Sequence, residues 1–288
     1  MLPSFRSPDL VRSTPFARTL LVTLLAGCST PRAVPSVVPV GGPRALRYVA
    51  NRATNPITID GRIDEKAWAL APWSEDFVDI EGAGRPAPRF RTRVRMLWDD
   101  QFWYVAAELE EPELWATVRV RDSVIFRDND FELFVDPSGT SHRYFEVEVN
   151  QFATVWDLFL PKPYSEGGHA VNAWNITGLK VAVALDGTIN HVGDRDRGWK
   201  VEMAIPWEAF ADSGHNIVPP RAGDRWRVNF SRVEWQVDTT GGVYAKRRDR
   251  TGRALPEDNW VWSPQGVINM HVPAYWGVVQ FGPKAPTP

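Results

Sequence analysis

Disulfides, metal-spaced histidines and the usual hydrolase signatures are all missing from this chain. One cysteine, Cys28, stands in 288 residues, so no intramolecular disulfide can form and the folded part must rest on its apolar core. Of the five histidines, His142, His169, His191 and His215 stand at no metal-ligand spacing. GxSxG, P-loop and HExxH motifs are absent, and with Cys28 in a leader context no cysteine nucleophile is available. Acids are plentiful, which leaves open a carboxylate pair for hydrolysing an O-glycosyl bond; no pair is singled out, and the reading leans away from an enzyme. No apolar run is long enough for a permanent membrane helix. An excess of charge of either sign is lacking too: the formal net charge of −2 argues against nucleic acid as a partner.

At the N-terminus, Arg6, Arg12 and Arg18 precede the apolar residues 19–27, a charged region followed by a short hydrophobic one. Leu25, Ala26, Gly27 and Cys28 resemble the bacterial lipobox, in which the cysteine becomes the acylated first residue. The alternative is an ordinary cleaved signal peptide with a bystander cysteine. Because the sole cysteine sits at the cleavage position, residues 1–27 read as a lipoprotein signal peptide and Cys28 as the lipidation site. By resemblance to lipoprotein sorting in Gram-negative bacteria, Ser29 points to the outer membrane, and the lipid anchor is the only membrane contact expected. Processing removes three arginines and one aspartate, which takes the net charge to about −4. Residues 28–45, rich in proline and glycine, read as a tether, residues 46–283 as one folded domain and residues 284–288 as a tail.

The domain is organised around FRDNDFELFVDP, residues 126–137. Its apolar, aromatic and branched run is too short for a buried helix and reads as a central strand entered from an acidic turn. Glu132 within it needs a reason, since an unpaired buried carboxylate is costly: either it lies on a solvated face, or it meets a partner or ligand. Alternation predicts further strands at 91–98, 102–108, 144–150, 155–160, 177–185, 199–205, 226–235 and 276–281. Residues 57–61 read as another strand ending in a tight turn, with Asp64 capping a short helix over 65–69. About ten strands with only short helices imply an all-β fold, an antiparallel two-sheet β-sandwich of jelly-roll or immunoglobulin-like type. Residues 236–259 show the least pattern and read as a solvated basic loop balanced by acids, or as a ligand-facing one.

Seven segments now fall into one order: IDGRIDEKAW, VRMLWDDQFWYVAAEL, DNDFELFVDP, YFEVEVN, WKVEMAIPWEAF, DRWRVNFSRVE and WVWSP…WGVVQF. Together they resemble carbohydrate-binding module family 9 and its relatives in bacterial surface proteins, over residues 47–282. The resemblance implies a two-sheet sandwich, structural calcium, and a slot that grips the end of a poly- or oligosaccharide between two tryptophans. Carried over position by position, the first slot tryptophan matches Phe126, the hydrogen-bonding glutamate Glu132, and an asparagine Asn150. A slot arginine falls near Glu148, and the second tryptophan at Met270, followed by His271.

Fourteen tryptophans are the other unusual content. Trp98, Trp103 and Trp156 lie in strands and are expected in the core. Trp174 and Trp260 sit in loop-like sequence and are the candidates for exposed sugar platforms. Met270 and His271 invite a haem ligand reading, as distant relatives of the sandwich hold haem, but without a second ligand packing under a loop is preferred. Asp128 with Asp130, and Asp194 with Asp196, are turn carboxylates suited to calcium. The expectation is thus a lipid-anchored, exported envelope protein that binds glycan and supports polysaccharide recognition or catabolism. The alternatives are an accessory glycosidase, a haem or electron-transfer domain, and a scaffold without ligand.

Overall fold

The structure is a computed structural model that describes residues 45–284 apart from 83 and 215–217. The expected leader, Cys28, nearly all of the tether and the last four residues lie outside the described residues. Among those described, no helix is long and apolar enough to cross a membrane.

In chain order the strands are β1 (Arg47–Arg52), β2 (Val78–Asp79), β3 (Thr92–Trp98), β4 (Phe102–Glu110), β5 (Asp130–Asp136), β6 (Tyr144–Asn150) and β7 (Val155–Leu160). There follow β8 (Lys180–Asp186), β9 (Gly198–Pro206), β10 (Arg225–Glu234), β11 (Val237–Thr240), β12 (Val243–Lys246), β13 (Asp258–Val261) and β14 (Gly277–Lys284). Hydrogen bonds join twelve of them in one ladder, β7-β6-β5-β10-β14-β1-β3-β4-β9-β8, with β13 attached at β10 and β2 at β13. Packing divides that ladder into two layers. Phe131, Leu133, Val147, Val149, Val228 and Phe230 from the first half share one core with Val94, Met96, Val105, Val201 and Met203 from the second. This is the expected sandwich, with its sheets continuous through β14 and β1, which run parallel.

Most tryptophans fill the space between the layers. Trp103 and Trp207 each stand edge-on to Trp226, at 6.3 and 5.7 Å between ring centres. Such aromatic pairs add to the free energy of burial and explain how a domain without disulfides holds together.

Two local expectations are corrected. Residues 57–61 form no strand; they run as a loop over β8 and β9 and are pinned by Glu202, whose Oε2 accepts from the Asp60 and Gly61 amides at 3.1 and 2.8 Å. Gly61 is required there, because its φ is +86° and a Cβ would meet the Ala184 amide nitrogen at 2.7 Å. The expected helix over 65–69 is a single 3-10 turn, Trp68–Leu70, with no side-chain cap from Asp64; Glu65 instead accepts from the Thr58 amide. Trp68 does face inward and donates to Glu202 Oε1 at 2.8 Å. The patternless stretch 236–259 contains a two-stranded hairpin, β11–β12, closed by Gly241 and Gly242 at positive φ, as a tight two-residue turn requires.

Candidate functional site: buried carboxylates beneath an aromatic rim

On β5 the residues with inward side chains are Phe131, Leu133 and Val135, so Asp130, Glu132 and Phe134 face the other way. The β5–β6 register sets Glu132 directly opposite Glu148, Asp130 opposite Asn150 and Phe134 opposite Glu146. Ser231 of β10 stands across from Glu132 on its other side, and Trp156 of β7 across from Glu148. One patch of the outer face therefore carries four carboxylates. It is not a solvated face: Asp130 is 0 % exposed, Glu148 1 %, and Glu132 and Glu146 4 % each.

Few donors reach these groups. Asp130 Oδ1 accepts from the Val233 amide at 3.3 Å, and Glu148 Oε2 from the Phe126 amide at 3.1 Å. Asp130 Oδ2, Glu132 Oε2 and Glu146 Oε2 are buried with no hydrogen-bond partner. Among the described residues, no lysine or arginine forms an ion pair with any of the four. Burial raises the pKa of all four carboxyls, and repulsion among them raises Asp130, Glu146 and Glu148 further.

Other buried acids of the same protein are treated differently. Arg232, wholly buried, binds Glu111 at 2.8 Å and Glu234 at 2.7 Å, and also donates to Thr92 Oγ1 and the Glu110 carbonyl. Asp128 accepts from the Thr117 and Val118 amides, the Thr117 hydroxyl and Asn150 Nδ2. Asp196 accepts from the Leu114 and Thr188 amides, and Asp194 pairs with His191. Asp128, Asp194 and Asp196, named as calcium candidates, thus brace turns; Asp130 alone of those four joins the cluster.

The rim is aromatic. Phe126, in a 3-10 turn just before β5, is 40 % exposed and lies 6.3 Å from the half-buried Trp156 at an interplanar angle of 30°. The Phe126 carbonyl accepts from Trp235 Nε1 at 2.9 Å, and Lys246 Nζ lies 3.2 Å above the Trp235 ring. Burial lowers the Lys246 pKa to about 8.

Of the residues singled out from sequence, Phe126, Glu132 and Glu148 are brought together here. Asn150 adjoins them but is spent on the fold: its Nδ2 donates to Val118 and Asp128, and its Oδ1 accepts from the Phe152 and Thr154 amides. Met270 and His271 cover the neighbouring part of the same face, over Phe134 and Tyr144. Met270 Sδ accepts from Gln265 Nε2 and its carbonyl from Trp276 Nε1, while His271 Nδ1 bonds Tyr144 Oη at 3.0 Å. The exposed platform expected at Trp260 is corrected, and Trp174 is half-buried. Trp260 is 3 % exposed, packed between Phe90 and the Arg232 guanidinium, because β13 pairs with β10 and β2. Trp174 packs on Phe145 and Phe159 of the main core. Trp156, expected in the core, is instead the second rim aromatic. The signal for it was the short β6–β7 hairpin, whose register, counted from the turn, puts Trp156 opposite Glu148.

A two-layer β-sandwich with an aromatic rim over buried acceptors is the architecture of a ligand-binding module. The chain matches the family described as carbohydrate family 9 binding domain-like over residues 59–218, and it belongs to that family. Solved structures agree on the fold. A family 9 carbohydrate-binding module from Caldicellulosiruptor kristjanssonii in complex with cellotriose aligns with TM-score 0.51 at 15 % identity, over 83 % of this chain and 95 % of that one. The glucose complex of such a module from the same organism gives 0.52 at 16 %, over 84 % and 98 %. A putative carbohydrate-binding protein from Bacteroides uniformis gives 0.57 at 17 %, over 82 % and 99 %. No curated protein matches the chain.

Proposed function

We propose that this protein binds carbohydrate at the outer face of β5–β7, as a lipid-anchored protein of the cell envelope. The observation that carries the reading is the Phe126–Trp156 pair beside the opposed Glu132 and Glu148. A half-exposed ring next to strong acceptors is what a sugar requires, since one sugar face is apolar and its hydroxyls donate. The complexes of the Caldicellulosiruptor modules with cellotriose and glucose support neutral poly- or oligosaccharides as the class to try first. Anchoring would run through Cys28 and the proline-rich segment after it, at the outer membrane, in the service of polysaccharide recognition or catabolism.

The test is thermal shift and calorimetry on the purified chain against a broad panel of mono- and oligosaccharides. A ligand at a hundred times its Kd adds about 2.7 kcal/mol to stability. Phe126→Ala and Trp156→Ala should each weaken binding by roughly three- to tenfold, the range of one aromatic contact. No response to any glycan, or binding indifferent to both substitutions, refutes the site. The anchor is checked separately, by mass spectrometry for acylated Cys28 and by release of a Cys28→Ser variant from membranes.

A further inference from the structure

We propose that Asp130, Glu132 and Glu148 form a binding site for a divalent metal ion of the hard, oxygen-seeking class, calcium foremost. Each offers a carboxylate oxygen, and these atoms all lie within 4.8 Å of one another. Calcium holds its oxygens at 2.3–2.6 Å, so two oxygens on one ion stand at most about 5 Å apart. The three side chains come from two adjacent strands at opposed or neighbouring register positions, so the backbone ladder fixes their convergence. Ser231, opposite Glu132 on β10, adds a hydroxyl to the same face.

Proximity of acids alone would mean little. The second observation is that the protein gives these acids only two backbone donors, and leaves an oxygen of Asp130 and one of Glu132 with none, in a place where water does not offset the cost. Asp130 Oδ2 and Glu132 Oε2 are unpartnered, and so is Oε2 of a fourth acid outside the trio, Glu146, at 4 % exposure. Elsewhere among the described residues the fully buried acids have donors: Glu111 and Glu234 from Arg232, Glu202 from two amides and an indole, Asp136 from the Gly139 and Ser141 amides and the Ser138 hydroxyl; outside the patch only Glu65, a less buried acid, keeps an unpartnered oxygen. Unpaired charge at this depth is expensive, and it is relieved by protonation or by a bound cation; three converging oxygens suit the cation. A soft or nitrogen-seeking metal does not fit, because all the donors are oxygen and no histidine or cysteine joins them.

This site differs from the glycan reading in chemistry and can be tested without sugar. The purified full chain is stripped with EDTA and titrated with calcium chloride, with magnesium as comparator, by calorimetry and thermal shift. Terbium serves as a luminescent substitute excited through tryptophan, since Trp156 stands opposite Glu148. The expected result is saturable calcium binding, a raised Tm, and terbium emission that calcium displaces. Glu132→Gln combined with Glu148→Gln should weaken calcium binding at least tenfold and abolish the emission. Because both substitutions keep side-chain volume, far-UV circular dichroism should be unchanged; if the double variant does not fold, each single variant is read in its place. Absence of calcium, magnesium and terbium binding to the stripped wild type overturns the proposal. So does binding that survives the substitutions, or stabilisation by an amino sugar such as glucosamine where calcium has no effect. Glycan binding measured in EDTA separates the two readings: the sugar site can fail while the ion binds, and the reverse.

Discussion

Replacing a buried glutamate by glutamine should have opposite effects at two places in this protein. Glu202 accepts from two backbone amides and the Trp68 indole, at 2.8, 3.1 and 2.8 Å, and is fully buried. Glutamine keeps one acceptor oxygen and turns its NH2 towards donors, so one or two charge-assisted bonds are lost. At about 1.5–3 kcal/mol each, partly offset by the lower desolvation cost of an amide, Glu202→Gln should lose roughly 2–4 kcal/mol. Glu146 has the reverse surroundings. Its Oε2 has no donor, Phe134 and Leu158 stand across from it on the two adjacent strands, and its charged neighbours Glu132 and Glu148 are carboxyls, Glu148 close enough to hydrogen-bond. There an amide supplies a donor where only a proton or a cation can serve the carboxylate, so Glu146→Gln should be neutral or stabilising by about 1 kcal/mol in metal-free buffer. The assay is urea unfolding at pH 7.5 with EDTA, comparing midpoints at constant m-value. Equal destabilisation by both substitutions, or a loss below 1 kcal/mol for Glu202→Gln, would refute the distinction drawn here between satisfied and unsatisfied buried acids.

Arg232→Met removes the buried cation that pairs with both Glu111 and Glu234, leaving Glu234 only the longer 3.9 Å contact to Arg89 among the described residues, and should cost about 3–5 kcal/mol, read as a fall in the urea midpoint. Adding Glu111→Gln and Glu234→Gln to that variant should recover part of the loss. His271, facing Tyr144 and Tyr164, has its pKa lowered by burial to about 4, below the unfolded value near 6.5. The unfolded chain therefore takes the proton first as pH falls, so this residue's contribution is intact above about 6.5 and is lost between 6.5 and 4. The loss is at most roughly 3 kcal/mol and is measured as the difference in pH-dependent stability between wild type and His271→Gln.

The long strands were legible because each packs one apolar face inward, which imposes a period of two on the sequence; β6 falls at the residues where alternation sets it, and β7 where the partner of β6 is expected. β1 was not, since only Tyr48 and Ala50 of its six residues point to the core and its partners, β14 and β3, lie far along the chain. The β11–β12 hairpin is largely exposed and leaves almost no apolar signature. Tryptophan burial failed as a sequence inference for a related reason. Trp260 has loop-like neighbours, and its cover comes from Phe90, Arg232 and the pairing of β13, none of which is local. In β7 both faces are apolar, with Val155 and Phe159 inward and Trp156, Leu158 and Leu160 outward, so alternation does not tell which side meets solvent.

The candidate site was half legible, and the missing half changes its chemistry. Glu132 and Glu148 could be assigned to neighbouring strands, but not their depth of burial, because what lies on that face comes from outside the strand pair: the Phe126 turn at Glu148 and, on the neighbouring part, Val261, Met270 and Trp276. Once that cover is in place, the charge of the patch matters more than its shape. Where the resemblance has an arginine the chain has Glu148, and an arginine there would stand directly opposite Glu132 and within reach of Asp130. With a glutamate instead, the face needs protons or a cation before all four acids can stay buried. A neutral glycan would then gain little from direct hydrogen bonds to carboxylates already bound to an ion, and most from the Phe126–Trp156 rim. If both proposals hold, Phe126→Ala should weaken sugar binding while leaving calcium affinity unchanged, since the hydrogen bond from Phe126 to Glu148 comes from its backbone amide, which alanine keeps.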